Sequence, residues 1–332
     1  MKRKTTLFIT AVALIIILLA ASWVRSRKNP EPVKRTQVAL GTFVDIEVRD
    51  RPGLDANRAI TVAFQEVQRI HREFSPFNEF GPLWRINRGT KETVPISREL
   101  YDLLLVCDTI HENTAGAFDP AMEALFRTWR IRENKPAIPS AEEVAAAVAL
   151  SGWRNISLND KPEISRPPGV EISFGAIAKG YAVDRMIEKL KEQGIENALV
   201  NAGGEIRALG KDWVVGIRHP SIPEELVRTI NLSGMAVATS GDYEQYTENE
   251  GTRYHHILDP ATGYPAEGCS SVTVIAGSCI EADAYATGIF VLGPERGIEL
   301  ANKIAGIEAM AINKSGTVFY SKGFENFLWS PP

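Results

Sequence analysis

The stretch from Glu281 to Thr287, which reads Glu-Ala-Asp-Ala-Tyr-Ala-Thr, carries a carboxylate and a hydroxyl four positions apart. Residues four apart lie on the same face of a helix, so the side chains of Asp283 and Thr287 could point at one ion. Both supply hard oxygen ligands, which suit Mg²⁺ better than zinc or copper. Two side chains leave an octahedral shell incomplete, so water, a substrate phosphate or a backbone carbonyl would supply the rest. The same spacing also occurs on ordinary helix faces.

A glycine-containing turn opens into a predicted helix between Phe174 and Asp184, where the sequence is Phe-Gly-Ala-Ile-Ala-Lys-Gly-Tyr-Ala-Val-Asp. Backbone N–H groups at the start of a helix attract phosphate, and Lys179 adds a positive charge near the first turn. The spacing of a Walker A loop is absent. The segment therefore indicates a phosphate-binding turn, although a tight strand-to-helix connection would also account for its glycines.

One histidine stands directly before a turn, in the segment from His256 to Pro265. The unperturbed pKa of histidine suits proton abstraction near neutral pH, so His256 is a candidate general base. A histidine that satisfies buried backbone groups is the alternative interpretation. The other four histidines have no motif around them and are assigned no role.

Hydrophobic periodicity predicts the elements that would carry these residues. Alternating apolar residues predict a strand over 43–48, and an apolar stripe predicts a helix over 54–74. Ser97 is a plausible N-cap for a helix over 97–113, and Ser140 opens a capping box. The remaining predicted helices are 178–193 (with Gly194 at its C′ position), 280–291 and 294–304, and the polar segment 75–96 is predicted to be a loop. The remaining predicted strands are 197–201, 205–209, 212–218, 227–232, 235–239, 271–276, 307–313 and 317–320. Helices first and clustered strands later favour an α+β fold over a doubly wound parallel sheet.

Charge and cysteine usage exclude several classes of protein. The chain has 332 residues, 44% of them hydrophobic, which is enough for a large core. Residues 1–30 hold six basic residues and no acid, so the rest of the chain carries a charge of about −10. Such a body lacks the basic face that nucleic acid binding needs. The spacing of the three cysteines does not suggest zinc. A Cys269–Cys279 disulfide is possible, but buried free thiols are favoured.

The amino-terminal segment predicts a membrane anchor. An uncharged run of twenty residues, Thr5 to Val24, follows Lys2-Arg3-Lys4, and a helix of that length spans the hydrocarbon core of a bilayer. We predict a signal anchor over 1–28, a linker over 29–37 and a catalytic domain over 38–330. The protein would then be a single-pass protein of the cytoplasmic membrane, with its domain on the periplasmic side. Cleavage near Ala20-Ala21-Ser22 is the alternative.

Seven ordered blocks of sequence together resemble the ApbE family, the FAD:protein FMN transferases, over roughly residues 38–328. These blocks are Leu40-Gly-Thr, Thr114-Ala-Gly-Ala-Phe-Asp-Pro, Gly175-Ala-Ile-Ala-Lys-Gly-Tyr-Ala-Val-Asp, Asn201-Ala-Gly-Gly, Thr239-Ser-Gly-Asp-Tyr, His256-Ile-Leu-Asp-Pro-Ala-Thr-Gly and Glu281-Ala-Asp-Ala-Tyr-Ala-Thr.

The resemblance implies a site. Asp283, Thr287 and the backbone carbonyl of Ala176 would hold Mg²⁺ against the pyrophosphate of FAD, and His256 would be the general base. Seven residues would contact FAD: Leu40, Ala117, Phe118, Asp119, Ser173, Lys179 and Leu258. The implied fold is a two-lobed α+β arrangement with mixed or antiparallel sheets and packed helices, which binds FAD between its lobes.

The resemblance also implies a reaction, the Mg²⁺-dependent transfer of FMN from FAD to a threonine or serine hydroxyl of a partner protein, with release of AMP. The partner would be a membrane redox subunit or a secreted flavoprotein with a Ser/Thr-Gly-Ala-Ser/Thr-like segment. A Mg²⁺-dependent FAD pyrophosphatase and a non-catalytic FAD-binding protein are the alternatives. A purely structural anchored domain would leave the clustered polar turns unexplained.

Three departures from the family pattern stand out. Ser173-Phe-Gly-Ala176 replaces the usual Asp-Leu-Gly-Gly, so a side-chain contact from aspartate becomes one from a serine hydroxyl. Leu40 replaces the usual methionine before Gly-Thr. The usual lipoprotein cysteine is missing, and the long apolar run takes its place.

Overall fold

The computed structural model describes residues 30–131, 133, 138–222, 224–249 and 251–330. Its helices are α1 (Gly53–Phe74), α2 (Pro82–Arg88), α3 (Arg98–Asn113), α4 (Glu123–Thr128), α5 (Ala141–Ala149), α6 (Ala178–Glu192), α7 (Cys279–Leu292) and α8 (Pro294–Ala301). Its strands are β1 (Val33–Ala39), β2 (Thr42–Val48), β3 (Thr93–Pro95), β4 (Ser157–Leu158), β5 (Glu163–Ser165), β6 (Ala198–Ala202), β7 (Glu205–Leu209), β8 (Trp213–Arg218), β9 (Leu226–Leu232), β10 (Ala236–Gly241), β11 (Tyr246–Asn249), β12 (Thr252–His255), β13 (Cys269–Ala276), β14 (Glu308–Asn313) and β15 (Val318–Tyr320).

An eight-stranded sheet forms the centre of the fold, in the order β1-β2-β6-β7-β10-β13-β14-β15. Neighbouring strands of this sheet pair antiparallel. The prediction of an α+β fold with antiparallel sheets is therefore confirmed. The predicted anchor over 1–28 and its alternative cleavage site lie outside the described residues. No helix among the described residues has the length and apolar character needed to span a bilayer.

Both faces of the sheet are covered. Helices α1, α6 and α7 pack on one face, and the β8–β9 hairpin packs on the other. Strand β13 is buried along its whole length. Its Val272 and Val274 pack in the core beneath the helices, and Ile275 packs in the core beneath the β8–β9 hairpin, because successive side chains of a strand point to opposite faces. The sheet is thereby fixed as a platform for the helices above it.

The predicted apolar stripe of α1 is confirmed. Five residues at helical spacing are buried in the main core: Ile60, Phe64, Val67, Ile70 and Phe74. Burial of side chains of this size stabilises a fold by roughly 1.5–3 kcal/mol each. The predicted caps are also confirmed, since Ser97 accepts the N–H of Leu100 and Ser140 forms a capping box with Glu143.

Two predictions about loops were wrong. Strand β1 begins at Val33, inside the range predicted to be a linker, and pairs with β2 along its whole length. Its central residues 34–37 are all polar or charged, so the sequence does not show the apolar run of a buried strand. The predicted loop over 75–96 contains α2 and β3, which are too short to produce a periodic pattern. All three cysteines are buried free thiols, as favoured by the sequence.

Candidate active site

A cavity of about 430 Å³ lies where α1, α6 and α7 meet the ends of the sheet strands, and we call it the main cavity. Ten of the eleven residues predicted for the site line it: Leu40, Ala117, Phe118, Asp119, Ala176, Lys179, His256, Leu258, Asp283 and Thr287. They come from five separate parts of the chain, so the fold assembles in space what the sequence spreads over 248 positions. The eleventh residue, Ser173, does not line this cavity.

Close packing of α6 against α7 positions the carboxylate of Asp283. The backbone N–H of Gly180 donates a hydrogen bond of 2.9 Å to Asp283 Oδ2. One turn further along α6, Asp184 accepts the N–H groups of Cys279 (2.8 Å) and Ile280 (3.0 Å) and so caps the first turn of α7. A Cβ atom on Gly180 would lie 2.8 Å from Asp283 Cβ and even closer to the carbonyl oxygen of Cys279. Glycine is therefore required for this approach of the helices.

We expect Gly180→Ala to displace α7 and with it Asp283 and Thr287. Overpacking of this kind costs about 1–3 kcal/mol of unfolding free energy, and a shift of about 1 Å can lower an enzyme's rate about 100-fold. Chemical denaturation and an activity assay measure the two effects. Gly277→Ala is the matched control, because a Cβ there meets nothing within 4 Å. A Gly180→Ala variant with the stability and activity of that control would contradict the packing argument.

The electrostatics around Asp283 favour a cation. Burial raises the pKa of Asp283 to about 7, and the nearby Glu205 carboxylate adds to the rise, although Lys179 and the Gly180 N–H oppose it. Lys179 forms an ion pair with Glu205. Burial alone would lower the pKa of Lys179, but Glu205 and Asp283 outweigh it and raise that pKa. Two buried carboxyl groups thus share one partly buried ammonium group, which leaves negative charge uncompensated when both are ionised.

The oxygen atoms near Asp283 give a donor set for a hard cation. Thr287 Oγ1 lies 3.3 Å from the hydroxyl of Ser240, one turn along α7 from Asp283. Glu205 Oε2 is buried and has no hydrogen-bond partner among the described residues. No group of three or more His, Cys, Asp or Glu side chains that could hold a metal was found in the described ranges. A cation at this place would therefore depend on hydroxyl, carbonyl and substrate oxygens besides Asp283.

His256 follows β12 and lines the main cavity. Its Nδ1 atom lies 3.2 Å from the carbonyl oxygen of Gln245, and its backbone N–H donates to the same oxygen at 3.0 Å. Because a carbonyl oxygen only accepts, Nδ1 carries the proton and Nε2 is left as the acceptor. Desolvation lowers the pKa of His256 to about 4, although the hydrogen bond to Gln245 opposes the shift. The imidazole is thus neutral and able to take a proton at physiological pH.

Asp119, in the wall of the main cavity, and Ser173, outside its lining, both bond to neighbouring backbone groups. Asp119 accepts the N–H groups of Ala121 and Trp153 at 2.8–3.0 Å. Burial raises the pKa of Asp119, and these N–H groups oppose the rise. The buried Ser173 donates its N–H to Pro120, and its hydroxyl oxygen lies 3.4 Å from the N–H of Gly175. The predicted contact between Ser173 and FAD stays a prediction.

Several residues that line the main cavity were not predicted from the sequence to belong to the site: Phe74, Phe174, Glu205, Ser240, Glu244 and Gln245. Glu205 directly follows the Asn201-Ala-Gly-Gly block, and Ser240 lies in the Thr239-Ser-Gly-Asp-Tyr block, so both were at or next to motifs of the sequence. The two phenylalanines looked like ordinary core residues. No local signal separates an aromatic residue at a cavity wall from one inside the core.

Comparison with known proteins identifies relatives along almost the whole chain. The model of the ApbE family matches residues 40–311. The FAD:protein FMN transferase of Treponema pallidum is 30% identical over 93% of this chain and 92% of its own length. The FAD:protein FMN transferase of Vibrio cholerae is 32% identical over 96% of this chain and 98% of its own length.

Solved structures agree with these sequence matches. The ApbE protein of Thermotoga maritima superposes with a TM-score of 0.85 at 34% identity, and covers 90% of this chain and 100% of its own. The flavin transferase ApbE of Vibrio cholerae superposes with a TM-score of 0.82 at 31% identity, over 90% of this chain and 99% of its own.

Proposed function

This chain belongs to the ApbE family, and from that premise we propose that it transfers FMN from FAD to a threonine or serine hydroxyl of a partner flavoprotein and releases AMP. The observation that carries the proposal is one cavity that joins a buried carboxylate, a helix-start lysine and a neutral histidine: Asp283, Lys179 and His256. Relatives over nearly the full length of the chain are named FAD:protein FMN transferase.

FAD would occupy the main cavity with its pyrophosphate beside the first turn of α6. Lys179 stands in that turn, where its positive charge and the helix dipole attract anions. Phe74 and Phe174 line the cavity and provide apolar surface for flat rings. Leu40, Ala117, Phe118, Asp119 and Leu258 complete the proposed contacts.

The donor set near Asp283 fits Mg²⁺, because it consists of oxygen atoms next to uncompensated buried negative charge. Asp283, Thr287 and the backbone carbonyl of Ala176 would hold the ion. When bound, Mg²⁺ supplies charge neutralisation for the pyrophosphate and for the departing phosphate. Burial, and after it the nearby Glu205 carboxylate, raises the pKa of Asp283, so a cation bound there would offset the repulsion between the two carboxylates.

The residues of the chain itself would carry the proton and position the reactants. Nε2 of His256 accepts the hydroxyl proton of the acceptor threonine. At the same time, the hydroxyl oxygen of that threonine forms a bond to the phosphorus of the FMN half. The bond between that phosphorus and the bridging oxygen breaks, and the oxygen leaves with AMP. The products are a phosphodiester between FMN and the threonine, free AMP, and one proton on His256, which passes to solvent.

Intact mass spectrometry of an acceptor protein tests the proposal. The purified chain is incubated with FAD, Mg²⁺ and a protein that carries a Ser-Gly-Ala-Thr segment. We expect the acceptor to gain the mass of FMN minus water, and this gain to disappear when Mg²⁺ is chelated. FMN and AMP in solution with an unmodified acceptor would indicate a pyrophosphatase instead. Intact FAD with measurable FAD binding would indicate a non-catalytic flavin-binding protein.

We also propose that the chain acts on the periplasmic side of the cytoplasmic membrane, held by the apolar run over residues 5–24. The acceptor would then be a membrane redox subunit or a secreted flavoprotein. Protease accessibility in spheroplasts tests this orientation, since a domain that resists added protease until the membrane is dissolved would contradict it.

A further inference from the structure

A second cavity of about 400 Å³ lies beside the main cavity, and we call it the side groove. The β11–β12 hairpin forms one wall, and Trp129, Ile131 and Ile138 contribute to the other. Four residues line both cavities: Ile131, Glu244, Gln245 and His256. The two cavities therefore meet at the histidine proposed as the general base.

The geometry of phosphoryl transfer gives the side groove a role. The attacking and leaving oxygens lie roughly in line across the phosphorus, so the acceptor hydroxyl approaches from the side opposite to AMP. If FAD fills the main cavity, this hydroxyl needs a separate entry that still reaches His256. The side groove is such an entry, because it ends at the same imidazole. This step rests on the function proposed above.

The surface of the side groove suits a protein segment. The buried ring of Trp129 stacks against Tyr254 with ring centres 5.6 Å apart and forms an apolar floor. Tyr246 is 46% exposed on β11, and its ring lies 4.2 Å below the guanidinium of Arg253. Ile138, on the other wall, is 40% exposed. Partly exposed aromatic rings held rigid by neighbours are typical anchors for a bound protein.

The backbone of the hairpin adds a second kind of contact. Strands β11 and β12 form a two-stranded sheet, and within the described part of the chain no third strand pairs with either of them. An unpaired strand edge presents N–H and C=O groups that an extended peptide can join. Hydrogen bonds to such an edge would hold the backbone of the segment, and the side chains of the groove would contact its side chains.

From these observations we propose that the side groove binds the acceptor protein as an extended segment, and that this segment delivers its serine or threonine hydroxyl to His256. Tyr246 is then a specificity-determining residue for the acceptor, while it makes no contact with FAD or with the reacting atoms. The adenosine half of FAD is the competing occupant. A Tyr246 variant should have a weaker affinity for the acceptor if the acceptor occupies the groove, and a weaker affinity for FAD if the adenosine does.

Steady-state transfer by Tyr246→Ala is the first test, with acceptor protein and FAD varied in turn. We expect the KM for the acceptor to rise about tenfold, with kcat and the affinity for FAD close to those of the unaltered protein. Tyr246→Phe keeps the ring and should restore the KM. Trp329→Ala is the matched control, because Trp329 is a similarly exposed aromatic residue (38%) that lines neither cavity.

A binding measurement separates this proposal from the proposed function. A fluorescently labelled peptide with a Ser-Gly-Ala-Thr segment is titrated with the FAD-loaded protein while Mg²⁺ is chelated, and its anisotropy is followed. Binding that weakens about tenfold in Tyr246→Ala supports the groove even if the protein transfers no FMN. An unchanged acceptor KM in a protein that does transfer FMN overturns it and leaves the function intact. Weakened FAD affinity in Tyr246→Ala, or no peptide binding to the unaltered protein, also overturns it.

Discussion

Asp283→Asn is expected to lower Mg²⁺-dependent FMN transfer by about three orders of magnitude. A bound cation contributes several kcal/mol of charge stabilisation in phosphoryl transfer, and each 1.4 kcal/mol corresponds to about tenfold in rate. Asparagine keeps an oxygen for the Gly180 N–H, so the position of α7 is retained, while the charge that attracts the ion is lost. Thr287→Val removes a neutral ligand and should therefore cost less.

The same substitution is expected to leave the Mg²⁺-free protein at least as stable as the unaltered one above pH 7. The folded pKa of Asp283 is raised from 3.8 to about 7. Between these values the folded state holds a proton that the unfolded state releases, so stability falls as the pH rises through this window. The neutral amide of Asp283→Asn does not carry this cost, which is on the order of a few kcal/mol. Saturating Mg²⁺ should stabilise the unaltered protein and not the variant.

Thermal unfolding at pH 5 and pH 8, with chelator and with Mg²⁺, measures both effects beside the transfer assay. Glu281→Gln is the control, since Glu281 is an acid on the same helix that does not line the main cavity. A variant that loses activity together with stability in chelator would mean that Asp283 has a structural role. A variant that keeps full Mg²⁺-dependent transfer would remove Asp283 from the metal site.

His256→Gln is expected to lower kcat for FMN transfer about 100-fold with little change in the affinity for FAD. General base catalysis contributes about 10²–10⁴-fold. The lower end applies here, because burial lowers the pKa of His256 to about 4 and makes the imidazole a weak base. His219→Gln is the matched control, since His219 binds the N–H groups of Ser221 and Ile222 and lines neither cavity.

The pH profile tests the protonation state. Only the neutral imidazole accepts a proton, so activity is lost as the pH falls through the folded pKa of about 4. At saturating Mg²⁺, we therefore expect that titration of His256 causes no change in kcat/KM between pH 5.5 and pH 8. An acid limb near pH 6.5 that disappears in His256→Gln would show that the imidazole keeps its ordinary pKa. Circular dichroism shows at which acidic pH the protein unfolds, and this sets the lower limit of the pH range of the assay. Acid favours unfolding because the pKa values of His255 and His256 are both lowered in the folded protein.

Much of the secondary structure could be predicted from the sequence, because it depends on local patterns. The stripe of α1, the caps at Ser97 and Ser140 and the alternation in β2 each act within a few residues. Helix α2 is too short to give a periodic pattern, and β1 escaped prediction because its central residues 34–37 are all polar or charged. Residue types and spacing indicated Asp283, Thr287, Lys179 and His256 as candidates, whereas the carbonyl of Ala176 and the other proposed FAD contacts came only from the resemblance to a family.

What the sequence by itself determined is the set of reactive groups: a carboxylate and a hydroxyl on one helix face, a lysine at a helix start and a histidine before a turn. What only the tertiary structure decided is the protonation of these groups and their positions relative to one another. Burial beside Glu205 and Lys179 sets the pKa of Asp283, and the Gln245 carbonyl sets the tautomer of His256. The sequence shows a glycine at position 180, but the need for glycine there depends on the carbonyl of Cys279, 99 positions away. Electrostatic and steric effects act over a few ångströms in space regardless of distance along the chain, so a linear pattern cannot contain them.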